Sequence, residues 1–211
     1  IYNRGTDKRL IFNSKEDVQR FLLSMRSFNS ENTIGSLYEQ SFRQKQPGVI
    51  QEKSSPIINV IAYCLNPNHY HLILSPLIDK GIENFMQRLG TGYTGYFNEK
   101  YKRSGGLFQG KFKSSHVDSN EYLLHLSVYV NLNDRTHQLG GPASKLVRSS
   151  FEQYTSVNSI VNQDESVSCD TKIITEQFKN REEYKSFALS TLDDIIKRKQ
   201  EDEELQKFLI D

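Results

Sequence analysis

A chain of 211 residues, 36% hydrophobic and 25% charged, is long enough to bury a substantial core, as one domain with an appendage or as two small ones. Its mean hydropathy of −0.62, with no apolar run near the roughly 20 residues of a spanning helix, excludes a transmembrane protein. Two distant cysteines, Cys64 and Cys169, exclude a disulfide framework and a Cys-rich zinc site, and make a reducing cytoplasm the expected compartment. The net charge of +1 conceals an asymmetry: residues 151–211 carry 8 Lys/Arg against 14 Asp/Glu, a balance of −6, which leaves +7 on residues 1–150. The basic part is the one suited to a polyanion. The sequence opens at Ile1 without a Met, so a few residues are expected to precede it, and a cleaved targeting segment stays open.

In chain order, residues 1–5 read as a short strand running into a Gly turn, and Leu10, Ile11 and Phe12 as core. Ser14 opens a helix with acids in its first turn, on which Val18, Phe21, Leu22 and Met25 recur at helical spacing. Residues 29–55, rich in Ser, Gln and Asn with Pro47-Gly48, read as a loop or weakly ordered helical insertion. The nearly continuous apolar run at 57–65 predicts a central strand covered on both faces, and Asn66-Pro67-Asn68 a tight turn into a second strand. From Gly81 to Tyr101 an amphipathic helix is marked by Ile82, Phe85, Met86, Leu89, Tyr93, Tyr96 and Phe97, the aromatic residues reading as core. Gly90, Gly92 and Gly95 each cost that helix roughly 1 kcal/mol relative to Ala, which points to a close approach to its backbone.

Residues 101–117 carry Lys102, Arg103, Lys111 and Lys113 without an acid, with Phe108 and Phe112 interleaved and a Gly-Gly turn. That is the composition of a loop and strand that grips a phosphate backbone, and equally of a solvated basic hairpin. Asp118 to Glu121 is a capping-box pattern that starts a helix running to about Asn133, with Leu123, Leu126 and Val130 as its buried stripe. After Gly140-Gly141-Pro142 the character changes: 151–154 is a short helix at most, 158–171 is polar, and 173–209 reads as one or two helices with charged faces. The expected division is a domain over 1–140 and an acidic, mostly helical extension over 141–211.

Chemistry concentrates in Asn66-Pro67-Asn68-His69-Tyr70-His71-Leu72-Ile73-Leu74-Ser75. Strand alternation puts His69 and His71 on one face and Tyr70, Leu72 and Leu74 on the other. Two imidazoles at a fixed spacing suit a divalent metal, and a hydrogen-bonded structural pair is the competing reading. On the helix that follows, Tyr129 and Asn133 are i,i+4 neighbours, which places a phenol beside a carboxamide. His116, His125 and His137 read as surface or supporting groups.

Three pieces occur in order: Tyr2-Asn3-Arg4-Gly5, the run around the His pair, and Leu107-Phe108-Gln109-Gly110-Lys111-Phe112-Lys113-Ser114 with the helix from Glu121 to Asn133. Together, over roughly 1–135, they resemble the single-tyrosine HUH transposases, the group of IS200-like and REP-associated tyrosine transposases. The resemblance implies an α+β, ferredoxin-like antiparallel sheet with packed helices. It also implies a metal-dependent enzyme that cuts and rejoins single-stranded DNA, often at a hairpin, through a covalent 5′-phosphotyrosine bond that leaves a 3′-hydroxyl. By the matching motifs the nucleophile is Tyr129, the metal ligands are His69, His71 and Asn133 for Mg²⁺ or Mn²⁺, and Arg4, Lys102, Arg103, Lys111 and Lys113 contact DNA. A homodimer is open. Asn66 stands where a Met is common in that family, and Asp134-Arg135-Thr136-His137 replaces a usual Pro-Val-Arg-Ala.

Other readings remain at this point. Tyr122, on the same helical face, is the rival nucleophile; a DNA-binding module that has lost cleavage would make Tyr129 dispensable; and a metal-dependent hydrolase using activated water would form no covalent adduct.

Overall fold

The computed structural model describes residues 1–32, 35, 37, 54–136, 141–156 and 166–208. Most of the insertion expected at 29–55 lies outside them, as does His137. The apolar run becomes β2 (Ile58–Asn66), and Pro67 and Asn68 turn it back into β3 (His69–Pro76). β1 (Tyr2–Arg4) pairs with the other edge of β3, Tyr2 opposite His71 and Arg4 opposite His69. A two-residue β4 (Arg148–Ser149) adds to β2, so the antiparallel sheet is ordered β1-β3-β2-β4. Beyond β1, residues 107–113 run antiparallel to it: Tyr2 and Lys113 exchange both backbone bonds at 2.9 Å, and Gly5 bridges Phe108. With that segment as the outer strand, the path to residue 113 is the β-α-β-β-α-β of a ferredoxin-like fold, the α+β class expected.

One face of the sheet is covered by α1 (Lys15–Phe28) and α2 (Gly81–Lys100). Phe21, Leu22 and Met25 of α1 and Phe85, Leu89 and Tyr93 of α2 pack on Tyr63, Leu65, Tyr70 and Leu72, all nearly or fully buried. The Phe21 ring meets those of Phe12, Tyr70 and Tyr93 at 4.9–5.3 Å between centroids, separations that favour edge and tilted aromatic pairs. Leu10, expected in the core, is 48% exposed. Only Ile11 and Phe12 turn inward there, because both of their N–H groups bond the Pro67 carbonyl, at 2.7 and 3.0 Å, and fix the chain against the hairpin turn.

The glycines of α2 divide. A Cβ at Gly92 would meet the Phe28 ring of α1 at 2.6 Å, whereas at Gly90 or Gly95 it would meet nothing within 4 Å. Close approach therefore explains one of the three.

The second face, carrying Ile61, Ala62, Cys64 and Ile73, is covered by α3 (Asn120–Asn131) and by the chain after residue 140. That part contributes α5 (Phe151–Thr155), α6 (Lys172–Thr175) and α7 (Arg181–Phe208), and Tyr154, Ile174, Tyr184 and Ala188 from it are all fully buried. Helix α3 starts one residue later than expected, since Ser119 rather than Asp118 accepts the Tyr122 N–H, at 3.2 Å. It also stops earlier: Leu132 leaves helical geometry and Asn133 opens a separate turn, α4 (Asn133–Thr136). The deepest residues are Ser127, Val128, Val130 and Asn131 rather than a stripe through Leu123 and Leu126. The C-terminal half of α3 is covered from the sheet side and by α7, while its first turn is exposed. Among the described residues no helix is long and apolar enough to cross a membrane.

Candidate active site

Register and alternation place the site. His69 and His71 share the β3 face of Ile73, which packs under α3, so both imidazoles lie where α3 ends and α4 begins. The Tyr129 ring meets His71 edge-on with centroids 5.5 Å apart, and Tyr2, opposite His71 in the β1–β3 ladder, stacks on it at 5.8 Å. The two histidine rings are 5.3 Å apart and perpendicular. The break at Leu132 turns Asn133 inward, where it is fully buried, and its Oδ1 lies 3.0 Å from His69 Nε2. Thus the four residues singled out by the motifs come together.

Hydrogen bonding fixes the state of His69. The carboxamide oxygen of Asn68 lies 2.6 Å from Nδ1 and can only accept, so the ring proton sits on Nδ1 and Nε2 carries a lone pair. Burial pushes the imidazole pKa below its ordinary value, and the nearby Arg4 charge acts in the same direction. Both effects favour the neutral ring, the form in which an imidazole binds a metal. Asn66, also fully buried, donates from Nδ2 to Asn133 Oδ1 at 2.7 Å and lies 3.0 Å from His69 Nε2.

These residues fit a divalent ion. In an octahedral site with bonds of about 2.0–2.1 Å, neighbouring donor atoms stand about 3 Å apart, which is the spacing of His69 Nε2 and Asn133 Oδ1. Asn133 Nδ2 is buried without a hydrogen-bond partner among the described residues, so the group is held with its oxygen toward His69 rather than for the bonds of its nitrogen. No three His, Cys, Asp or Glu side chains cluster as a metal site among the described residues. The set here is two imidazoles and an amide oxygen.

A cavity of about 570 Å³ opens over the histidines, lined by Tyr2, Arg4, Lys8, Asn68, Gln109 and Lys113 among others. Among the described residues three cations and no acid face it, a composition that attracts phosphate. Of the basic candidates, Arg4 and Lys113 line this cavity, Arg4 with its Nε bonded to the Gln109 side chain. Lys111 is exposed on the neighbouring edge segment. Lys102 instead lines a separate cavity of about 990 Å³ with Arg20, Arg88 and Lys100. Arg103 is committed to its own loop, donating to Asn98 Oδ1 at 2.9 Å and to the Gly106 carbonyl at 3.2 Å. Tyr122 is 41% exposed and seven residues, about 10 Å, nearer the start of the helix than Tyr129. His116 and His125 are exposed.

Sequence reasoning missed Tyr2, Lys8, Asn68 and Gln109. Asn68 was findable, as an acceptor directly beside His69 in the turn; Tyr2 and Gln109 come in only through the pairing of β1 with its two neighbours.

The site is thus a basic cleft over a histidine pair on an α+β sheet, backed by Tyr129 of α3 and Asn133 of α4. The family described as "Transposase IS200 like" matches residues 31–133, a segment that takes in the His pair, Tyr129 and Asn133. That match, over just under half of the chain, makes it similar to the IS200-like transposases and supports a transposase role. No curated protein and no solved structure matches it.

Proposed function

We propose that the protein cuts and rejoins single-stranded DNA with Tyr129 as nucleophile, at a site where His69, His71 and Asn133 hold Mg²⁺ or Mn²⁺. The observation that carries this is the Tyr129 ring against His71 on the wall of a basic cleft whose other histidine faces the Asn133 amide oxygen. Arg4, Lys8 and Lys113 draw the phosphodiester backbone into the cleft and offset its charge. Tyr2, 43% exposed and stacked on His71, offers a face to an unpaired base. The Tyr129 oxygen attacks phosphorus; the P–O3′ bond breaks, the phenolic proton passes to solvent, and the 3′ oxygen leaves as a hydroxyl after taking a proton. The product is a 5′-phosphotyrosine, which keeps the bond energy for rejoining to another 3′-hydroxyl without ATP. A bound divalent ion supplies charge screening and polarisation of a phosphoryl oxygen. The Asn68 carboxamide at Nδ1 keeps the His69 Nε2 lone pair directed at the site.

The test is a denaturing gel of protein incubated with labelled single-stranded hairpin DNA and Mn²⁺. A labelled protein band that survives SDS is expected for the native chain and for Tyr122→Phe, and is expected to vanish in Tyr129→Phe, in His69→Ala and on chelation. A band that persists in Tyr129→Phe moves the nucleophile. Tight binding of the hairpin with no band in the native chain favours a DNA-binding module on the same fold.

A further inference from the structure

With its proton on Nδ1, His69 presents a lone pair at Nε2 to the lone pairs of Asn133 Oδ1, 3.0 Å away. Two acceptors at that distance repel unless something electropositive lies between them. In this structure that something is the Asn66 amide, whose two hydrogens serve both atoms: Nδ2 is 2.7 Å from Asn133 Oδ1 and 3.0 Å from His69 Nε2. The three atoms form a triangle with sides of 2.7, 3.0 and 3.0 Å. The orientation of the amide is set from behind, since Asn66 Oδ1 lies 3.8 Å from the Cys64 thiol, a weak donor. Asn66 has no exposed surface, so its N–H groups have no water to turn to. The residue that ends β2 and faces His69 across the hairpin is thus wired into the pair of atoms the proposed function needs for its ion.

We propose that Asn66 is an internal stand-in for the cation. Its amide holds His69 and Asn133 in register in the metal-free protein and competes with the divalent ion for the same two donor atoms. An N–H group cannot share those lone pairs with a cation, so loading requires the Asn66 amide to turn or withdraw, losing two buried hydrogen bonds. Metal affinity is therefore lower than the donor set alone would give, and the site opens to metal only as fast as one side chain moves. A Met at this position has no N–H and imposes no such competition.

This inference rests on the metal reading above, and the experiment separates the two. Mn²⁺ binding to the full chain is measured by isothermal titration and by the loss of the free-ion paramagnetic signal, for the native protein, His69→Ala, Asn66→Met and Asn66→Leu. The expected result is binding that His69→Ala abolishes and that each Asn66 variant tightens by about tenfold, the weight of the hydrogen bonds no longer displaced. Equal or weaker affinity in the Asn66 variants, with His69-dependent binding intact in the native chain, overturns the competition and leaves the metal reading standing. Absence of His69-dependent binding in every variant removes the metal reading, and the competition with it. Should the Asn66 variants fail to fold, the native protein still decides. Titrating it with diamagnetic Mg²⁺ should move the Asn66 side-chain amide resonances as the ion saturates, and resonances that stay fixed at saturation overturn the proposal.

Discussion

Asp17 shows on one residue how burial and partners contend over a charge. The carboxylate has no exposed surface, and burial alone would raise its pKa. Five donors outweigh that: Lys100 at 2.6 Å, the Tyr101 and Tyr96 hydroxyls at 2.7 and 3.0 Å, and the Asn13 and Ser14 N–H groups at 2.8 and 3.1 Å hold it below the ordinary carboxylate value. A group whose folded pKa is depressed favours the folded state above its unfolded pKa, about 3.9. That contribution is lost as pH falls from there through the depressed folded value. Asp17→Asn is therefore expected to destabilise the protein by about 2 kcal/mol at pH 7. The loss falls short of the roughly 3–5 kcal/mol of a fully buried pair because the Lys100 side chain keeps 32% of its exposure. Urea denaturation across pH 7 to 2.5 checks both parts: the gap between native and variant should close below about pH 4, and a constant gap would mean that the carboxylate charge does not matter.

At the scale of elements, the α1–α2 contact turns on Gly92. Its missing Cβ leaves room for Phe28, itself 6% exposed and held among core residues, so Gly92→Ala should cost about 1–2 kcal/mol by overpacking. Gly90→Ala and Gly95→Ala meet open space and should each stabilise the helix by about 0.5–1 kcal/mol. Opposite signs for three identical substitutions in one helix, read from urea midpoints, form the test; a shared sign would mean that propensity alone governs. The same helix shows what the sequence exposes and what it hides. Its length and apolar stripe follow from periodicity, but which glycine is crowded depends on where α1 crosses, and no local pattern carries that. The site divides in the same way. The spacing of His69 and His71 and of Tyr129 and Asn133 is local and was legible, whereas the break at Leu132 that buries Asn133 and the register that sets Tyr2 on His71 arise from tertiary packing.

Over the whole molecule, the acidic stretch after residue 140 is the least legible part, because it carries no catalytic motif and its role is to be a wall. Tyr154 donates to the Ile61 carbonyl at 2.6 Å, its ring is stacked on that of Tyr184 at 5.1 Å, and the Tyr184 hydroxyl lies 3.2–3.3 Å from Asn131 and Ser127 of α3. Asn131 in turn accepts from the Ser150 hydroxyl at 2.6 Å. The helix that carries Tyr129 is thus fixed from behind by α7 and by the residues around β4. Without them Ile61, Ala62, Ile73, Val128 and Val130 would face water, and at roughly 1.5–3 kcal/mol for each large side chain returned to solvent the loss rivals the net stability of a domain. A chain cut after residue 140 is therefore expected to be insoluble or to lack dispersed NMR signals, while the full chain unfolds in a single urea transition. The milder Tyr184→Phe, which removes only the hydroxyl, should cost about 1 kcal/mol and reduce covalent adduct formation without abolishing it. A soluble, well-dispersed 1–140 fragment with adduct formation intact would mean that the sheet and α3 close without α5 to α7, and that the acidic part is attached to the catalytic unit rather than built into it.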